Sequence, residues 1–434
     1  MENKKTNPRA LALDVLTKCE SGGYSNIALD TVIKRNNLSP VDRGLMTALI
    51  YGVIERKITL DYIIASLSSI PNSKIERDTR NILRMGLYQL IYMKKIPAHA
   101  ALNETVSLAN KRSKGFVNAI LRSYQREGSK IEFPNESDKI KYLSVKYSIG
   151  EPLVCALLDS YSFLECKLIL GAFDQLAPIT LRVNNLKTTR DQILNELQNS
   201  RLTDFSPDGI ILENAAVSEL EFLKDGRVTI QDEASQICVR ALDAKEGDFV
   251  LDVCACPGSK SFGAAMTMQN KGEMIAFDIH ENKLSLIESG AQRLGIDIIK
   301  TQTHDARKPI EELFDKADKI ICDVPCSGFG VISKKPEIRY KDPKESARLP
   351  EIQYDILENV SKYLKVGGTL VYSTCTILPE ENENNIEKFL ENHKNFELAP
   401  FSVGELEVDS GMITLLPHTH HTDGFFIAKL KRIK

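Results

Sequence analysis

The stretch Leu251-Asp252-Val253-Cys254-Ala255-Cys256-Pro257-Gly258-Ser259-Lys260 decides the fold. It starts in a short apolar run, Phe249–Val253, and passes through a turn with one glycine into a helical pattern. Four more apolar runs follow at Glu273–Asp278, Ile298–Gln302, Lys319–Asp323 and Thr369–Ser373. Helical stretches of about 10–15 residues separate most of them. Such alternation predicts a parallel sheet covered by helices on both faces. In these sheets ligands bind at the carboxyl ends of the strands, and a glycine in the first turn lets the backbone approach them.

The spacing narrows the ligand. The second run ends at Asp278, 20 residues after Gly258, where an acid can accept hydrogen bonds from ribose hydroxyls. The third run leads to Asp305 and the fourth ends at Asp323. With a single glycine the turn is neither a dinucleotide fingerprint nor a P-loop, and nothing in it is made to hold a pyrophosphate. An adenosyl ligand without phosphates fits better, so S-adenosylmethionine is the expected cofactor. The alternative is an ordinary strand–helix turn flanked by surface carboxylates.

Upstream, the first ~127 residues read as helix after helix, with about seven in all. Apolar residues recur at three- and four-residue spacing in Leu11, Val15, Leu16 and Cys19, and again in Ile82, Leu83, Leu87, Leu90 and Ile91. Ser39-Pro40 reads as a helix cap and first position. Residues 128–138 are polar, with Gly128 and Pro134, and mark a linker. Residues 139–240 mix short helices with short strands, including Ile179–Val183 and Arg227–Ile230. Downstream, Ile413–Leu416 and Phe425–Leu430 predict a terminal antiparallel hairpin, with His418, His420 and His421 in a solvated loop between them.

The chain has 434 residues, 42% of them apolar and 26% charged. That composition excludes a disordered, collagenous or fibrous chain. It contains no run of about 18 apolar residues, so no membrane span is expected. The polar start, Met1 to Arg9, shows no secretory signal. Nine cysteines are too few and too scattered for a disulfide framework. The expectation is a cytoplasmic protein with free thiols, and nothing in the residues demands more than a monomer. The net charge of −3 hides a division. Residues 1–130 carry 21 basic against 11 acidic residues, and the remainder carry 35 against 48. A basic module that meets a polyanion is one reading, and chance variation in solvated faces is the other.

Two cysteines lie just beyond strand ends: Cys326, in Asp323-Val324-Pro325-Cys326-Ser327-Gly328, and Cys375, in Ser373-Thr374-Cys375-Thr376. In a parallel sheet both face the edge that carries the cofactor turn. A thiolate is a strong nucleophile, and a strand–helix junction can favour it. A lone cysteine is more often a small buried hydrophobe. A zinc site from Cys254, Cys256, Cys322 and Cys326 is a further alternative, but the spacings are not the usual C-x₂-C pairs.

With these motifs the sequence resembles the RNA cytosine-5 methyltransferases of the NOL1/NOP2/Sun family. Asp252–Lys260, Asp323–Gly328 and Ser373–Thr376 carry the resemblance. Leu378-Pro379-Glu380-Glu381-Asn382-Glu383 and Asp423-Gly424-Phe425-Phe426 also fit it. Gly115–Arg122 looks like the last helix of a NusB-like RNA-binding domain. That combination is similar to bacterial small-subunit (16S) rRNA methyltransferases and covers essentially the whole chain. Departures are modest. Gly258-Ser259 stands where two glycines are frequent, Lys334–Tyr340 has lysines and a tyrosine where arginines and tryptophan are common, and the chain has no tryptophan.

The resemblance implies a multidomain fold. An all-α NusB-like domain spans 1–130, a small α+β domain (RRM- or ferredoxin-like) spans 139–235, and a Rossmann-like class I methyltransferase domain spans 236–434. It implies that Cys375 attacks cytosine C6, that Asp323 holds the base edge and that Cys326 helps release the product. Cys254, Ala255, Cys256, Pro257, Gly258, Ser259 and Lys260, with Asp278, Asp305 and Asp323, would bind the cofactor. Lys334, Lys335 and Arg339, with Lys341, would form a basic track for RNA. Target bases are reached in loops or by extrusion. The implied partner is 16S rRNA. Alternatives are the same chemistry on tRNA, or an RNA-binding assembly factor with an inactive methyltransferase domain.

Overall fold

The computed structural model describes residues 7–20, 25–175, 177–213 and 221–434. The polar start at residues 1–6 lies outside the described residues. Two compact units form: Met1–Phe163 with Lys335–Asp342, and Leu164–Lys334 with Pro343–Lys434.

Among the described residues the first unit is helical. It contains α1 (Pro8–Cys19), α2 (Ser25–Arg35), α3 (Pro40–Glu55), α4 (Lys57–Leu67), α5 (Arg77–Tyr92), α6 (Ala98–Leu108) and α7 (Lys114–Glu127). Local chemistry sets the starts. The Asn7 side chain accepts from Arg9 N at 2.9 Å. Ser39 accepts from Asp42 N at 3.1 Å, with Pro40 in the first helical position. Leu49, Ile50, Leu60, Leu83 and Leu87 are fully buried in the common core. One charge is also inside. Arg84 is 3% exposed, and its Nε and Nη2 bind Asp61 at 2.7 and 2.6 Å while Nη1 reaches Glu20. A buried guanidinium needs such pairing, because an unpaired one is strongly destabilising.

Two further helices fall in this compact unit. They are α8 (Lys139–Tyr147) and α9 (Glu151–Ser160). Thr59 Oγ1 donates to Val145 O at 2.6 Å, and Ile58 N donates to Ser148 Oγ at 2.9 Å. The same unit includes Lys335–Asp342. Tyr340 OH accepts from Lys57 N at 3.2 Å and donates to Ile54 O. Arg339 is 2% exposed and donates to Tyr147 O at 2.9 Å, while Gly150 N donates to Arg339 O at 2.7 Å. Arg339 was expected in an RNA-facing basic track. That expectation is corrected, because its guanidinium is buried and ties helix α8 to the 335–342 segment.

The second unit begins within α10 (Phe163–Phe173) and holds two main sheets. The smaller is antiparallel, in the order β2-β3-β1-β4. Its strands are β1 (Ile179–Val183), β2 (Ser200–Leu202), β3 (Gly209–Leu212) and β4 (Val228–Ile230). It carries α11 (Arg190–Glu196) and α12 (Glu221–Lys224). Thr189 and Gln192 close a reciprocal capping box on α11. Two helices on a four-stranded antiparallel sheet in this order make a ferredoxin-like arrangement.

The larger sheet follows α13 (Glu233–Leu242). Its first strands and helices are β5 (Phe249–Asp252), α14 (Ser259–Thr267), β6 (Glu273–Asp278), α15 (Glu281–Leu294), β7 (Ile299–Thr303) and β8 (Ala317–Asp323). Then come α16 (Leu349–Ser361), β9 (Leu364–Thr374), α17 (Glu383–Asn392) and β10 (Phe396–Leu398). β11 (Phe401–Val403) and β12 (Leu406–Val408) form a separate small hairpin, and β13 (Met412–Leu415), α18 (Pro417–His420) and β14 (Phe425–Arg432) end the chain. The strand order is β10-β14-β9-β8-β5-β6-β7, with β13 paired to β14. β5 to β9 run parallel, whereas β14 runs antiparallel to β9.

The central strands are buried on both faces, and the pleat sends successive residues to opposite helical layers. Val250, Ile321, Val371 and Ile427 pack with α13 and α14. Their neighbours Leu251, Ile320, Leu370 and Phe426 pack with α16 and α17. The expected terminal hairpin is present, although its connection contains the short helix α18 rather than a plain loop.

The role of Arg339 is open to measurement. Arg339→Ala should lower the unfolding free energy by about 2 kcal/mol, because buried polar partners lose their donor. Lys335→Glu, on an exposed neighbour, should change it by less than about 0.5 kcal/mol. Equal effects in denaturant titration would remove the distinction.

Candidate active site

The chain leaves β5 toward β6 and β7 on one side, then returns to place β8 and β9 on the other. The sheet order therefore reverses between β5 and β8, and crevices form at such points beyond the strand ends. A cavity of about 450 Å³ opens there. Cys254, Cys256, Asp278, Asp305, Asp323, Cys326 and Cys375 all line it. Ala255, Pro257, Gly258 and Ser259 shape the turn without lining the cavity. Cys256-Pro257 is a cis peptide bond.

Gly258 is at φ +100°, and a Cβ added there would meet the Phe262 ring at 2.6 Å. No L side chain fits that left-handed, close-packed position. The turn thus stays low over the cavity and feeds directly into α14. Asp278 accepts from Cys256 N at 3.3 Å and from His280 N at 2.9 Å, which fixes its carboxylate at the cavity wall. Arg307 grips Asp305 from the same loop, with Nε–Oδ1 2.9 Å and Nη2–Oδ2 2.7 Å. The Arg307 hydrogen bonds hold the Asp305 carboxyl down to about 2. Two carboxylates on adjacent strand ends beside a space of this size fit an adenosyl ligand.

Lys260 reaches the cavity only through Asp323. The lysine is 7% exposed, and its Nζ lies 2.7 Å from Asp323 Oδ2. Burial disfavours its charge, but the attraction of Asp323 outweighs that and raises the Lys260 ammonium above its ordinary value. The other Asp323 oxygen accepts from Ser373 Oγ at 2.7 Å. Beneath them Asp252 is buried, accepting from Ser261 Oγ at 2.6 Å. Burial pushes the Asp252 carboxyl up to about 7.

The two thiols meet. Cys326 Sγ is 3.1 Å from Cys375 Sγ, and Cys375 N donates to Cys326 Sγ at 3.3 Å. The hydrogen bond to Cys375, then burial, holds the Cys326 thiol well above its ordinary value. Close backbone approaches make this geometry. Gly330 N donates to Cys375 O at 2.9 Å, and Gly424 N donates to Gly330 O at 2.8 Å. A Cβ on Gly330 would collide with Gly424 O. That contact explains why glycines occur at both places.

The basic track expected at Lys334 is also corrected. Lys334 Nζ lies 2.6 Å from Asp232 Oδ2 and 2.7 Å from Asp423 Oδ2. Its charge is spent on two carboxylates inside its own unit. Burial, then the neighbouring Asp232, pushes the Asp423 carboxyl up to about 7. Lys335 and Lys341 remain exposed. Sequence reasoning missed His280, Lys283, His304 and Arg307 on the cavity wall. Their signal was position alone, within a few residues of the ends of β6 and β7.

Site and topology together define an S-adenosylmethionine-dependent RNA methyltransferase, and the comparisons with known proteins agree. The profile of the 16S rRNA methyltransferase RsmB/F family matches residues 239–431. The NusB family matches 6–126, and the RsmF/B-like ferredoxin-like domain matches 153–218. Probable ribosomal RNA small subunit methyltransferase B of Bacillus subtilis is 40% identical, over 99% of each chain. The crystal structure of PH0851 superposes with a TM-score of 0.78 at 25% identity, covering 100% of both chains. NSun6 from Pyrococcus horikoshii, solved with SFG, has the same fold: TM-score 0.58, 24% identity, 70% of this chain and 99% of that one. The chain belongs to the ribosomal RNA small subunit methyltransferase B family, whose N-terminal domain is NusB-like. No helix among the described residues is long and apolar enough to cross a membrane.

The buried acid gives a pH test. The Asp252 carboxyl is raised in the folded state, so the fold binds this proton more tightly than the unfolded chain does. The stability it lends is full below the unfolded value of 3.8 and is lost as pH climbs toward about 7. Asp252→Asn removes the titration. Relative to the wild type, the variant should gain about 2 kcal/mol between about pH 5 and about pH 7. Parallel stability curves in urea would contradict the assignment.

Proposed function

We propose that the chain methylates C5 of a cytidine in 16S rRNA through a covalent adduct between Cys375 and C6. The observation that carries this reading is the thiol pair 3.1 Å apart beside Asp323, at the mouth of the cofactor cavity. Cytosine C5 is a poor nucleophile, and one thiol near it would have no obvious second task. Two thiols divide the work. Cys326 keeps its proton more tightly than a free thiol, first through its hydrogen bond with Cys375 and then through burial, which supports Cys375 as the attacking sulfur.

Addition of the Cys375 thiolate to C6 forms an S–C6 bond and makes C5 enamine-like. S-adenosylmethionine, when bound, supplies the electrophilic methyl group. Asp323, steadied by Lys260 and Ser373, hydrogen-bonds the base edge and stabilises a protonated N3. Cys326 stands beside C5; once its own proton has passed to water, the thiolate accepts the C5 proton, and its high proton affinity suits that uptake. As the proton leaves, the S–C6 bond breaks and Cys375 is regenerated. Holding these groups in place supplies much of the rate. The names of the curated relatives favour small-subunit rRNA over tRNA. The basic helical unit, with 21 basic against 11 acidic residues in 1–130, suits a phosphate backbone.

The variants separate the sulfurs. Cys375→Ala should abolish turnover and leave the S-adenosylmethionine Kd unchanged by calorimetry. Cys326→Ala should trap a protein–RNA adduct on a denaturing gel. An adduct with Cys375→Ala would reverse the roles. Bisulfite mapping of 16S rRNA with and without the protein tests the substrate, and an unchanged pattern would sink the rRNA assignment.

A further inference from the structure

Glu381 and Asn382 sit beneath the site on a turn to which the reaction above gives no task. Glu381 is 3% exposed and Asn382 is fully buried. Every bond to the Glu381 carboxylate comes from a donor. Its Oε2 accepts from Ser327 N at 3.0 Å and from Gln353 Nε2 at 2.7 Å, and its Oε1 accepts from Ser327 Oγ. Gln353 Nε2 also donates to Pro325 O at 2.9 Å. Glu381 therefore holds one neighbour of Cys326, Ser327, directly and the other, Pro325, through Gln353. Asn382 does the same for Cys375. Its Nδ2 donates to Thr376 O at 3.0 Å, and its Oδ1 accepts from Thr374 Oγ1. The two halves are joined, since Ser327 Oγ lies 2.9 Å from Thr376 Oγ1. Tyr372 OH donates to Glu381 O at 2.7 Å and fastens the turn to β9.

We propose that Glu381 and Asn382 form a positioning clamp that sets the distance between the two thiols, Glu381 governing the release thiol and Asn382 the attacking one. The inference rests on the two-thiol reading above. Adjacent residues reach two loops that are about 50 positions apart in sequence and hold them in register. Both are positioning residues, because neither lines the cavity. The negative charge of Glu381 also contributes to holding the Cys326 thiol up, after the bond to Cys375 and burial. Losing Glu381 frees the Cys326 loop while Asn382 still steadies Cys375. Attack then continues and elimination slows.

The test uses the full chain, S-adenosylmethionine and an unmodified 16S rRNA transcript. Glu381→Ala should lower kcat by about 100-fold, the scale of a misplacement near 1 Å. It should accumulate a covalent adduct although both cysteines are present, with an unchanged S-adenosylmethionine Kd. Asn382→Ala should lower kcat without accumulating adduct. Glu381→Gln keeps the shape and one acceptor, and should recover part of the rate. Ser327→Ala removes a donor to the same carboxylate without touching the turn, and should show a weaker adduct signal if Glu381→Ala fails to fold. Wild-type turnover in Glu381→Ala overturns the proposal. So does a slow variant without adduct while Cys326→Ala still traps one. If Cys326→Ala itself traps none, the two-thiol reading fails and the clamp's part in release falls with it.

Discussion

The register of β8 between β5 and β9 is the constraint on which the site depends. It pairs Asp252 with Ile321 and Asp323 with Ser373. In a parallel sheet the strand ends are level, so each strand delivers its next residues to the same edge. β5 delivers the cofactor turn, β8 delivers Asp323 and Cys326, and β9 delivers Cys375. A slip of one residue would turn Asp323 toward the opposite face and bury an unpaired carboxylate. The alternation of Leu251 and Val250, or Ile320 and Ile321, prevents it, because each face has its own helical layer to fill.

That edge concentrates charge, with Lys260 and Asp252 buried and Asp323 partly exposed on the cavity wall. Lys260 and Asp323 pair with Asp252 buried nearby, and the three together have only one cation. A buried ion pair gives little net stability once desolvation is counted. What it gives here is fixed geometry. Asp323 has both oxygens engaged, by Lys260 and Ser373, and so presents a defined edge toward the space beside Cys326 and Cys375. The polar turn at Glu381 and Asn382 serves the same end through neutral donors. Fully satisfied buried networks rigidify, whereas partly satisfied ones are costly.

Much of this was legible in sequence. β6 begins and ends where its apolar run does, and β1 coincides with Ile179–Val183. One rule, that ligands gather beyond strand ends, pointed to Asp278, Asp305, Asp323, Cys326 and Cys375 on the cavity wall, but not to His280, Lys283, His304 or Arg307. Short elements were not legible: β2, β11 and β12 have three residues each, too few for alternation to register. Charge roles also failed. Lys334 and Arg339 read as solvent-facing cations because a basic residue in a polar stretch is usually solvated. Their partners, Asp232, Asp423 and the Tyr147 carbonyl, are between 89 and 192 positions away in the chain. No local pattern encodes such pairings. Glu381 stood in a recognisable motif, but its contacts with Ser327 and Gln353 depend on how α16 and two loops pack.

These pairings alter the meaning of the charge division. The acidic excess after residue 130 is not a uniform repulsive surface. Asp208 is shared by Arg182 and Arg240, Asp323 by Lys260, and Asp232 with Asp423 by Lys334. Several cations in that region are thereby withdrawn from any partner in solution. Fewer free positive charges are left than the sequence count suggests. Cations near the catalytic edge that are already paired offer weak electrostatic guidance there. Recognition at that edge must then come from directional contacts, hydrogen bonds to an extruded base among them, which depend less on salt than phosphate pairing does.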